Sequence, residues 1–468
     1  MGVLFQFFEY DIHFNDQLWR IIPFELDRLS SYGITAVWLP PAYKGSSGRM
    51  DVGYGPYDLY DLGEFDQKWT IPTKYGYKDQ YLEAIEACHK HHIKVYGDIV
   101  LNHKMGSDGV NYVKATTVDS SSRNKKKGKS KYIEAPTQFN FDNRQNKYSA
   151  FKWTADHFTG VDYDFKSQKN AIYLLDKKKW SKRVDKENGN YDFLLGSNID
   201  HNYPDVREEL IRWGRWYKQI SHIDGFRLDA LKHIDYDFYK EWLYQVRDGD
   251  NLFAVGEYWH GDVKVLLKYL KHVEYSMSLF DVPLHYNFYK CSQHPDTFDM
   301  RELYKNTLLE RSPMHAVTFV DNHDTQPHQG LASYIDAWFK PFAYAFILLK
   351  DAGYPCIFYG DYYGLKYTPY SCFQHTIEKL LYVKKKYGYG KEEEIVDKDQ
   401  YILTRSNGIV LMMNIRKDNI SRIYVGNQFS NNLFYDIFSN NEVMIDHNGY
   451  GEFKCHKRQV AVYIKKEN

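Results

Sequence analysis

The chain has 468 residues, with equal numbers of basic and acidic side chains and a formal net charge of zero. This length is more than one hydrophobic core can serve, so we expect two or three domains. A neutral chain gives no electrostatic reason to bind nucleic acid or anionic lipid, and no stretch approaches the roughly eighteen apolar residues of a membrane span. We expect no nucleic-acid or membrane partner, and a monomer.

The cysteines and the start of the chain indicate in which cellular compartment the protein is expected. The five cysteines are odd in number and widely scattered, and they form neither a CxxC zinc cluster nor a disulfide framework. The first apolar run begins at Val3, with no basic segment, apolar core or cleavage site of a signal peptide before it. These features favour the cytoplasm, although a secreted chain that had lost its signal peptide would begin in the same way.

Eight short apolar runs alternate with helical patterns as far as Gly390. Such alternation predicts parallel strands covered by helices, and eight units predict a closed (β/α)8 TIM barrel of the α/β class. The expected strands are residues 3–8, 36–39, 95–101, 225–230, 253–257, 276–280, 316–320 and 356–359.

A stretch of roughly a hundred residues separates the third and fourth expected strands, where a connection is normally a few residues long. We therefore expect a small domain, residues 104–203, inserted into a barrel formed by residues 1–103 and 204–390. Two basic runs in the insert, residues 123–131 and 177–183, are predicted to be solvated loops because the total charge is neutral.

The segment that follows the insert is predicted to be a helix. Pro204 followed by Asp205 is typical of a first helical turn. The subsequent apolar residues recur with the spacing of one helix face, at Val206, Leu210, Trp213, Tyr217 and Ile220.

The pattern changes beyond Gly390, where strand-like runs follow one another without a helix between them. Residues 391–468 are therefore predicted to form a C-terminal antiparallel β-sandwich. The expected strands are residues 401–404, 409–415, 420–425, 433–438, 442–445 and 459–464.

Residues 223–230, Ile-Asp-Gly-Phe-Arg-Leu-Asp-Ala, place a cation and an anion in a strand that is otherwise apolar. Strand side chains alternate in direction, so Arg227 and Asp229 share one face while Phe226 and Leu228 share the other. A guanidinium and a carboxylate directed into a barrel must pair or take part in chemistry to offset the cost of burial.

Two further carboxylates follow apolar runs, Glu257 at the end of one predicted strand and Asp324 just after another. The C-terminal ends of the strands are where TIM-barrel enzymes carry their catalytic groups. A single carboxylate in such a place is more often a loop or helix-cap residue. Three in succession, with Arg227 before the first and His323 before the third, indicate an active site.

These residues lie in four short segments that resemble the signatures of the α-amylase family of glycoside hydrolases, family 13. The segments begin at Asp98 (Asp-Ile-Val-Leu-Asn-His), Gly225 (Gly-Phe-Arg-Leu-Asp-Ala-Leu-Lys-His), Gly256 (Gly-Glu-Tyr-Trp) and Phe319 (Phe-Val-Asp-Asn-His-Asp). Their order and spacing agree with the family, and residues 51–65 are most similar to the bacterial liquefying α-amylases. The resemblance runs from residue 5 to about residue 389 and implies a catalytic barrel, an inserted domain and a C-terminal sandwich.

Cleavage of a glycosidic bond with retention needs an ionised nucleophile and a protonated acid about 5 to 5.5 Å apart. We expect Asp229 to be the nucleophile, because Arg227 on the same face would hold it ionised and oriented. Glu257 is the expected general acid/base, and the two aromatic residues that follow it would raise its pKa. The resemblance implies that Asp324 stabilises the transition state by binding hydroxyls of the sugar at the cleavage point.

The resemblance also implies a set of substrate-binding residues. His103 and His323 would bond to the same sugar, Tyr54 would stack on it, and Lys232 and His233 would line the leaving-group side. The full expected set is Tyr54, His103, Arg227, Lys232, His233, Trp259 and His323.

A structural calcium ion is implied where the insert meets the barrel. Calcium takes six to eight oxygen ligands, and Asn102, Asp192, Asn198 and the carbonyl of His233 fall at the positions of the family's principal ligands. Asn198 and Ser181 stand where the liquefying enzymes have Asp. We therefore expect one Ca²⁺ ion, more weakly bound, and no multi-metal cluster. The alternative is that Asp192 and Asp200 are ordinary surface-loop residues.

These features together predict a retaining enzyme that cleaves α-1,4-glucosidic bonds internally in starch, glycogen or maltodextrins. An exo-acting α-glucosidase or a transglycosylase of the same family is the alternative within this class. A catalytically inactive glucan-binding relative is the alternative from another class, and the presence of Asp229, Glu257 and Asp324 argues against it.

Overall fold

The computed structural model describes residues 2–13, 17–366 and 372–467. Eight parallel strands close into a barrel, which confirms the predicted TIM-barrel class. The strand ends differ from the expected ones by no more than two residues. In chain order the barrel strands are Leu4–Gln6, Ala36–Leu39, Lys94–Ile99, Gly225–Leu228, Phe253–Gly256, Ser278–Phe280, Ala316–Phe319 and Tyr354–Phe358.

Helices surround the barrel and cover its strands. The predicted helix after the insert is present as Pro204–Ser221, and it buries Val206, Leu210, Trp213 and Tyr217 as its apolar spacing requires. The α-helices of the described residues are Leu18–Ser31, Lys78–Lys90, Pro204–Ser221, Tyr236–Arg247, Val263–His272, Val282–Gln293, Leu308–Arg311, Lys340–Leu349, Tyr359–Tyr363 and Gln374–Tyr387. None of them has the length and apolar character that crossing a bilayer requires.

The chain between the third and fourth barrel strands forms an antiparallel sheet of six strands. Its spatial order brings the short strand that follows the third barrel strand next to the last strand of the insert, so both connections to the barrel leave from one edge of the sheet. In spatial order the strands are His103–Lys104, Ser197–Ile199, Phe158–Asp164, Lys169–Leu175, Gly109–Val118 and Lys126–Gln138. A small ribbon of Lys44–Gly45 and Pro56–Asp58 lies in the loop after the second barrel strand.

The prediction that both basic runs of the insert are solvated loops is wrong for most of the first run, which is a strand, and correct for the second, which is a loop apart from its buried tryptophan. In the first run, Lys126–Gln138 is a strand whose lysines up to residue 131 are exposed, and Arg123 is buried with its guanidinium 4.2 Å from the ring centre of Tyr191. In the second run, Trp180 is buried against Phe193. Residues 126–132 are all exposed, so this part of the strand has no alternation of buried and exposed residues that would distinguish it from a loop.

The C-terminal part forms the predicted antiparallel sandwich, a six-stranded sheet with a two-stranded sheet packed on it. All six expected strands are present with small differences at their ends. The first sheet contains, in spatial order, Glu392–Val396, Gln400–Arg405, Ile409–Asn414, Gln459–Lys465, Leu433–Asp436 and Glu442–Met444, and the second pairs Asn419–Tyr424 with Tyr450–Cys455.

Two of these C-terminal strands were not predicted. Glu392–Val396 is an edge strand that opens with three glutamates, and Tyr450–Cys455 alternates buried and exposed residues. The alternation of Gly451, Phe453 and Cys455 with polar residues is a period-two signal that could have revealed the second strand.

Candidate active site

Arg227 is the centre of a buried charge cluster at the C-terminal end of the barrel. The register pairs Arg227 with Asp98 on the third strand, and the turn after the fifth strand brings Glu257 to the other side. The guanidinium bonds to Asp98 at 2.9 Å, Asp229 at 2.7 Å and Glu257 at 2.6 Å. Arg227 and Asp98 are fully buried, so a single cation holds three carboxylates that come from three strands.

The last backbone hydrogen bonds of the barrel fix the two carboxylates that flank Arg227. The amide of Asp229 donates to the carbonyl of Ile99 at 3.0 Å, and the amide of Glu257 donates to the carbonyl of Leu228 at 2.9 Å. The fourth strand ends because Ala230 adopts the left-handed conformation, with φ of 54°. The chain then turns into the short 3₁₀ helix Leu231–His233, which borders the same opening.

Asp324 follows the seventh strand and reaches the same opening from the opposite side. Its backbone amide donates to the side-chain oxygen of Asn322 at 2.9 Å, which holds the turn. The hydroxyl of Tyr10 donates to its Oδ1 at 2.9 Å, and Nε2 of His323 lies 3.2 Å from its Oδ2. The three carboxylates singled out in the sequence therefore surround one opening at the end of the barrel.

The cluster has one guanidinium, three buried carboxylates and a fourth, Asp324, whose side chain is 23% exposed, so burial and mutual repulsion disfavour ionisation of all four together. Burial raises the pKa of Asp229 well above its usual range, and it also raises the pKa values of Glu257 and Asp324; Arg227 opposes each rise. Carboxyl groups this close titrate together, so a proton that they share cannot be assigned to one of them. Burial first, and then the charges of Glu257 and Asp98, oppose the effect of Arg227 on the pKa of Asp229, so the ionised state of Asp229 stays a prediction.

The residues expected to contact the central sugar lie beside these carboxylates. Tyr54 donates its hydroxyl to Asp98 at 2.7 Å, and its ring stacks on His323 at 5.1 Å with an interplanar angle of 11°. Nε2 of His103 lies 2.9 Å from the carbonyl oxygen of Tyr54. Burial lowers the pKa of His103 to about 4, so its imidazole is neutral at pH 7 and its single N–H is donated to the Tyr54 carbonyl.

The residues expected on the leaving-group side join the barrel to the insert. Lys232 bonds to Glu187 at 2.7 Å and to the carbonyl of Trp259 at 3.3 Å. Nδ1 of His233 lies 2.8 Å from the carbonyl oxygen of Tyr191. The structure therefore places Lys232 and His233 against the insert, with the backbone of Trp259 beside Lys232.

The aromatic residues after Glu257 differ in where they point. Tyr258 turns away from the carboxylate cluster and donates its hydroxyl to Asp185 at 2.6 Å. Trp259 donates to the hydroxyl of Tyr286 at 2.8 Å and packs near Phe319. Burial among the charged groups, more than contact with Tyr258, accounts for the raised pKa of Glu257.

Three residues of this site were not identified from the sequence. Asp98 begins the first of the four segments, and its place within the apolar run of residues 95–101 was a usable signal. Gln6, which lies 3.0 Å from His323, and Tyr10 come from the end of the first strand. No local pattern marks either of them, because their partners are about three hundred residues away along the chain.

The expected calcium ligands gather where the insert meets the barrel. Asn198 pairs with His103 in the sheet, and the amide of Ile199 donates to the carbonyl of Asn102 at 3.0 Å. Within the described residues, Oδ1 of Asn102 and Oδ1 of Asn198 are buried without a hydrogen-bond partner. Asp192 is 2% exposed, so the alternative that it is an ordinary surface residue is wrong.

The expected calcium ligands at this junction carry little negative charge. Among residues 2–13, 17–366 and 372–467, no three His, Cys, Asp or Glu side chains are grouped to hold a metal ion. Asp192 is the single carboxylate among the expected ligands, and the others are amide or backbone oxygens. The hydroxyl of Ser181 bonds to Asp235 at 2.9 Å and Asp200 pairs with Lys178 at 2.8 Å, so both are engaged elsewhere.

Comparison with known proteins gives a consistent set of relatives. The family described as "Alpha amylase, catalytic domain" matches residues 19–400. The chain is 46% identical to an α-amylase of Geobacillus stearothermophilus over 480 aligned positions, which cover 100% of this chain and 87% of that protein. It is 38% identical to the cytoplasmic α-amylase of Escherichia coli K12, with 96% of each chain covered. Among solved structures, an α-amylase from Geobacillus thermoleovorans superposes with a TM-score of 0.65 at 18% identity, covering 100% of this chain and 98% of that one.

Proposed function

Because the chain belongs to the α-amylase family, we propose that it hydrolyses α-1,4-glucosidic bonds within starch, glycogen or maltodextrins, with retention of configuration. The observation that carries this proposal is the bonding of one buried guanidinium, Arg227, to both Asp229 and Glu257. This arrangement brings a nucleophile and an acid to one opening, as a double displacement requires. Relatives that match this chain over nearly its whole length and carry the name α-amylase support the same activity.

In the first step, Asp229 attacks the anomeric carbon of the sugar with the carboxylate oxygen that is not bonded to Arg227. Glu257 gives its proton to the glycosidic oxygen, so the bond to the leaving sugar breaks as the bond to Asp229 forms. The products of this step are a glucan with a free hydroxyl and a glucosyl ester of Asp229. Arg227 keeps the two carboxyl groups apart and correctly oriented throughout.

In the second step, Glu257 acts as a base. It takes a proton from water, whose oxygen attacks the anomeric carbon, and the ester bond to Asp229 breaks. The carboxylate of Asp229 and the protonated Glu257 are thereby regenerated. Two successive inversions give a product with the configuration of the substrate.

The remaining residues of the site bind the sugar that reacts. Asp324 and His323 offer an acceptor and a neutral donor 3.2 Å apart, which suits sugar hydroxyls. Tyr54 presents an aromatic ring beside the nucleophile, and such a ring stabilises both a sugar face and a developing positive charge. Lys232, His233 and Trp259 would contact the sugars of the leaving group.

A structural calcium ion fits the junction between insert and barrel. Asn102, Asp192 and Asn198 would hold it through side-chain oxygens and His233 through its carbonyl. Two of these oxygens are buried and unpaired in the described residues, which supports an oxygen-binding cation. When bound, calcium would tie the insert to the strand end that carries His103. With one carboxylate in the set, a single ion is proposed and a multi-metal cluster is not.

The similarity to a cytoplasmic α-amylase supports a cytoplasmic location for this chain, with glycogen or maltodextrins as its substrates. Other relatives carry no such qualifier in their names. Fractionation of the producing cells, with activity measured in each fraction, tests the location directly.

The proposed function is tested by the chain-length profile of products from soluble starch, for the wild type and for Glu257→Gln. We expect rapid formation of mixed maltooligosaccharides and a loss of about 10²- to 10⁴-fold in the variant, which lacks the proton donor. Repetition with a chelator tests the calcium site, whose loss should lower thermal stability.

Three outcomes would contradict this proposal. Release of glucose one unit at a time would indicate an exo-acting glucosidase, and products longer than the substrate would indicate a transglycosylase. Absence of turnover on any α-glucan by folded wild-type protein would favour a glucan-binding protein.

A further inference from the structure

Gln6 and Tyr10 extend from the end of the first barrel strand to His323 and Asp324. Nε2 of Gln6 lies 3.0 Å from Nδ1 of His323, 317 residues later in the chain. The hydroxyl of Tyr10 donates to Oδ1 of Asp324 at 2.9 Å, across 314 residues. The double displacement described above uses neither Gln6 nor Tyr10.

The side-chain amide of Gln6 determines which nitrogen of His323 carries the proton. The same Nε2 donates to the carbonyl of Phe8 at 3.3 Å, so the nitrogen of the amide, and not its oxygen, faces His323. Nδ1 of His323 must then accept a hydrogen bond, which leaves the proton on Nε2. Burial, and after it the charge of Arg227, lowers the pKa of His323 well below its usual range, so the ring is neutral.

The Nε2–H of His323 is an unused donor. It is fully buried and lies 3.2 Å from Oδ2 of Asp324, but within the described residues it makes no hydrogen bond of acceptable geometry. Leaving a buried donor unpaired is unfavourable, so its persistence points to a ligand that pairs with it.

Tyr10 fixes the carboxylate beside this donor. Its ring meets His323 edge to face at 4.9 Å and 89°, and Tyr54 at 5.8 Å and 85°. These two ring contacts hold the phenol in place, and its hydroxyl bonds to Oδ1 of Asp324. Burial raises the pKa of Tyr10 well above its usual range, so the hydroxyl remains a donor at any working pH.

We propose that Gln6 and Tyr10 are positioning residues, Gln6 for the tautomer of His323 and Tyr10 for the rotamer of Asp324. This inference rests on the proposed function. The two residues preset a donor and an acceptor side by side, so a sugar hydroxyl can accept from Nε2–H and donate to Oδ2 with no reorganisation. Asp324 and His323 touch the substrate, and Gln6 and Tyr10 act through them.

Tyr10→Phe tests the first half of the proposal, because it keeps the ring and removes the hydroxyl. On soluble starch we expect kcat to fall about 10- to 100-fold, with a smaller change in KM, since the lost bond goes to a charged group. The hydroxyl lowers the pKa of Asp324, so its loss should move the acidic limb of the pH–rate profile to higher pH. In an Asp324→Asn background the same change should cost less than about 3-fold.

Tyr362→Phe is the matched control. It removes a phenol that donates to a carboxylate, Glu378, at 2.7 Å, at a place outside the catalytic cluster. Its activity and pH profile should equal those of the wild type. If Tyr10→Phe costs as much in the Asp324→Asn background as in the wild type, or costs nothing while the protein is folded, Tyr10 does not position Asp324.

Gln6→Glu and Gln6→Met test the second half. The carboxylate that Gln6→Glu introduces would accept from Nδ1 and draw the proton away from Nε2, whereas the near-isosteric methionine leaves the tautomer free. We expect Gln6→Glu to lose more activity than Gln6→Met. Equal losses, or a greater loss in the methionine variant, would mean that Gln6 has a packing role alone.

The histidine tautomer can also be read without activity. In ¹⁵N-histidine-labelled protein, with the His323 signals assigned by their loss in His323→Gln, we expect a protonated Nε2 in the wild type and a protonated Nδ1 in Gln6→Glu. A wild-type signal with Nδ1 protonated would overturn the assignment. Because this spectrum needs no substrate, failure of the tautomer assignment is distinguished from failure of the proposed hydrolysis.

Discussion

His285 is a buried imidazole that links the helix Val282–Gln293 to the segment carrying Asp324. Its Nδ1 lies 2.7 Å from the carbonyl of Val320, and its Nε2 lies 2.9 Å from the hydroxyl of Ser333. The ring also stacks on Phe319 at 5.2 Å and 7°. Burial lowers its pKa to about 4, so the folded protein holds it neutral.

This pKa predicts the direction of a pH effect on stability. An unfolded histidine has a pKa of 6.5 and the folded one about 4, so between these values the unfolded state binds more protons and stability falls as the pH falls. His285 should account for a loss of about 2 kcal/mol between pH 7 and pH 5.

Denaturant unfolding of the wild type and His285→Asn at both pH values measures the effect. The asparagine variant should be less stable at pH 7, and its deficit should narrow by this amount at pH 5. A deficit that is the same at both values would show that His285 does not titrate as its burial implies.

At the scale of elements, a buried ion cluster connects three segments around the seventh and eighth strands. Lys340, the first residue of the helix Lys340–Leu349, bonds to Asp321 at 2.8 Å and also to Asp361. Asp321 follows the seventh strand, and Asp361 lies in the helix Tyr359–Tyr363 after the eighth. All three side chains are fully buried, and Asp321 accepts further bonds from Thr325 at 2.8 Å and from the amide of Ile335 at 3.2 Å. Lys340 therefore stabilises the turn that carries Asp324 through its bond to Asp321.

Lys340→Met should destabilise the protein by about 3–5 kcal/mol, because it leaves two buried carboxylates without their cation. Activity should fall with stability, since the turn that carries Asp324 loses its support. The control is Lys240→Met, which removes an exposed ion pair with Glu274 of 2.6 Å and should change stability by less than about 1 kcal/mol. Similar unfolding midpoints for the two variants would refute this account of the cluster.

At the scale of the whole molecule, the barrel, the insert and the sandwich differ in how much of their structure could be predicted from the sequence. Barrel strands are buried on both faces and read as short apolar runs, so all eight could be located. Strands exposed on one side were harder to find. Lys126–Gln138 begins with seven exposed residues and Glu392–Val396 begins with three glutamates, so neither has a local apolar signal. The domain boundaries at residues 103, 203 and 390 stay predictions, which limited proteolysis would test.

In the active site, too, some residues could be predicted from the sequence and others could not. Asp229, Glu257 and Asp324 could be selected because each ends a recognisable strand and the four segments resemble one family. Gln6 and Tyr10 could not, since barrel closure brings them to partners more than three hundred residues away. Arg227 was expected to pair with Asp229, but its simultaneous bonds to Asp98 and Glu257 depend on strand register. The protonation states of the clustered carboxyl groups depend on all of them together, so they cannot be predicted by identifying the residues one by one.

The most direct test of the central claim is the configuration of the reducing ends when they first form. Proton NMR of maltooligosaccharide cleavage, recorded before mutarotation, distinguishes the α from the β anomer. Retention through a glucosyl ester of Asp229 predicts that the α anomer appears first and the β anomer follows at the rate of mutarotation. Initial formation of the β anomer would contradict this, because it would require direct attack by water and would leave Asp229 without its role as nucleophile.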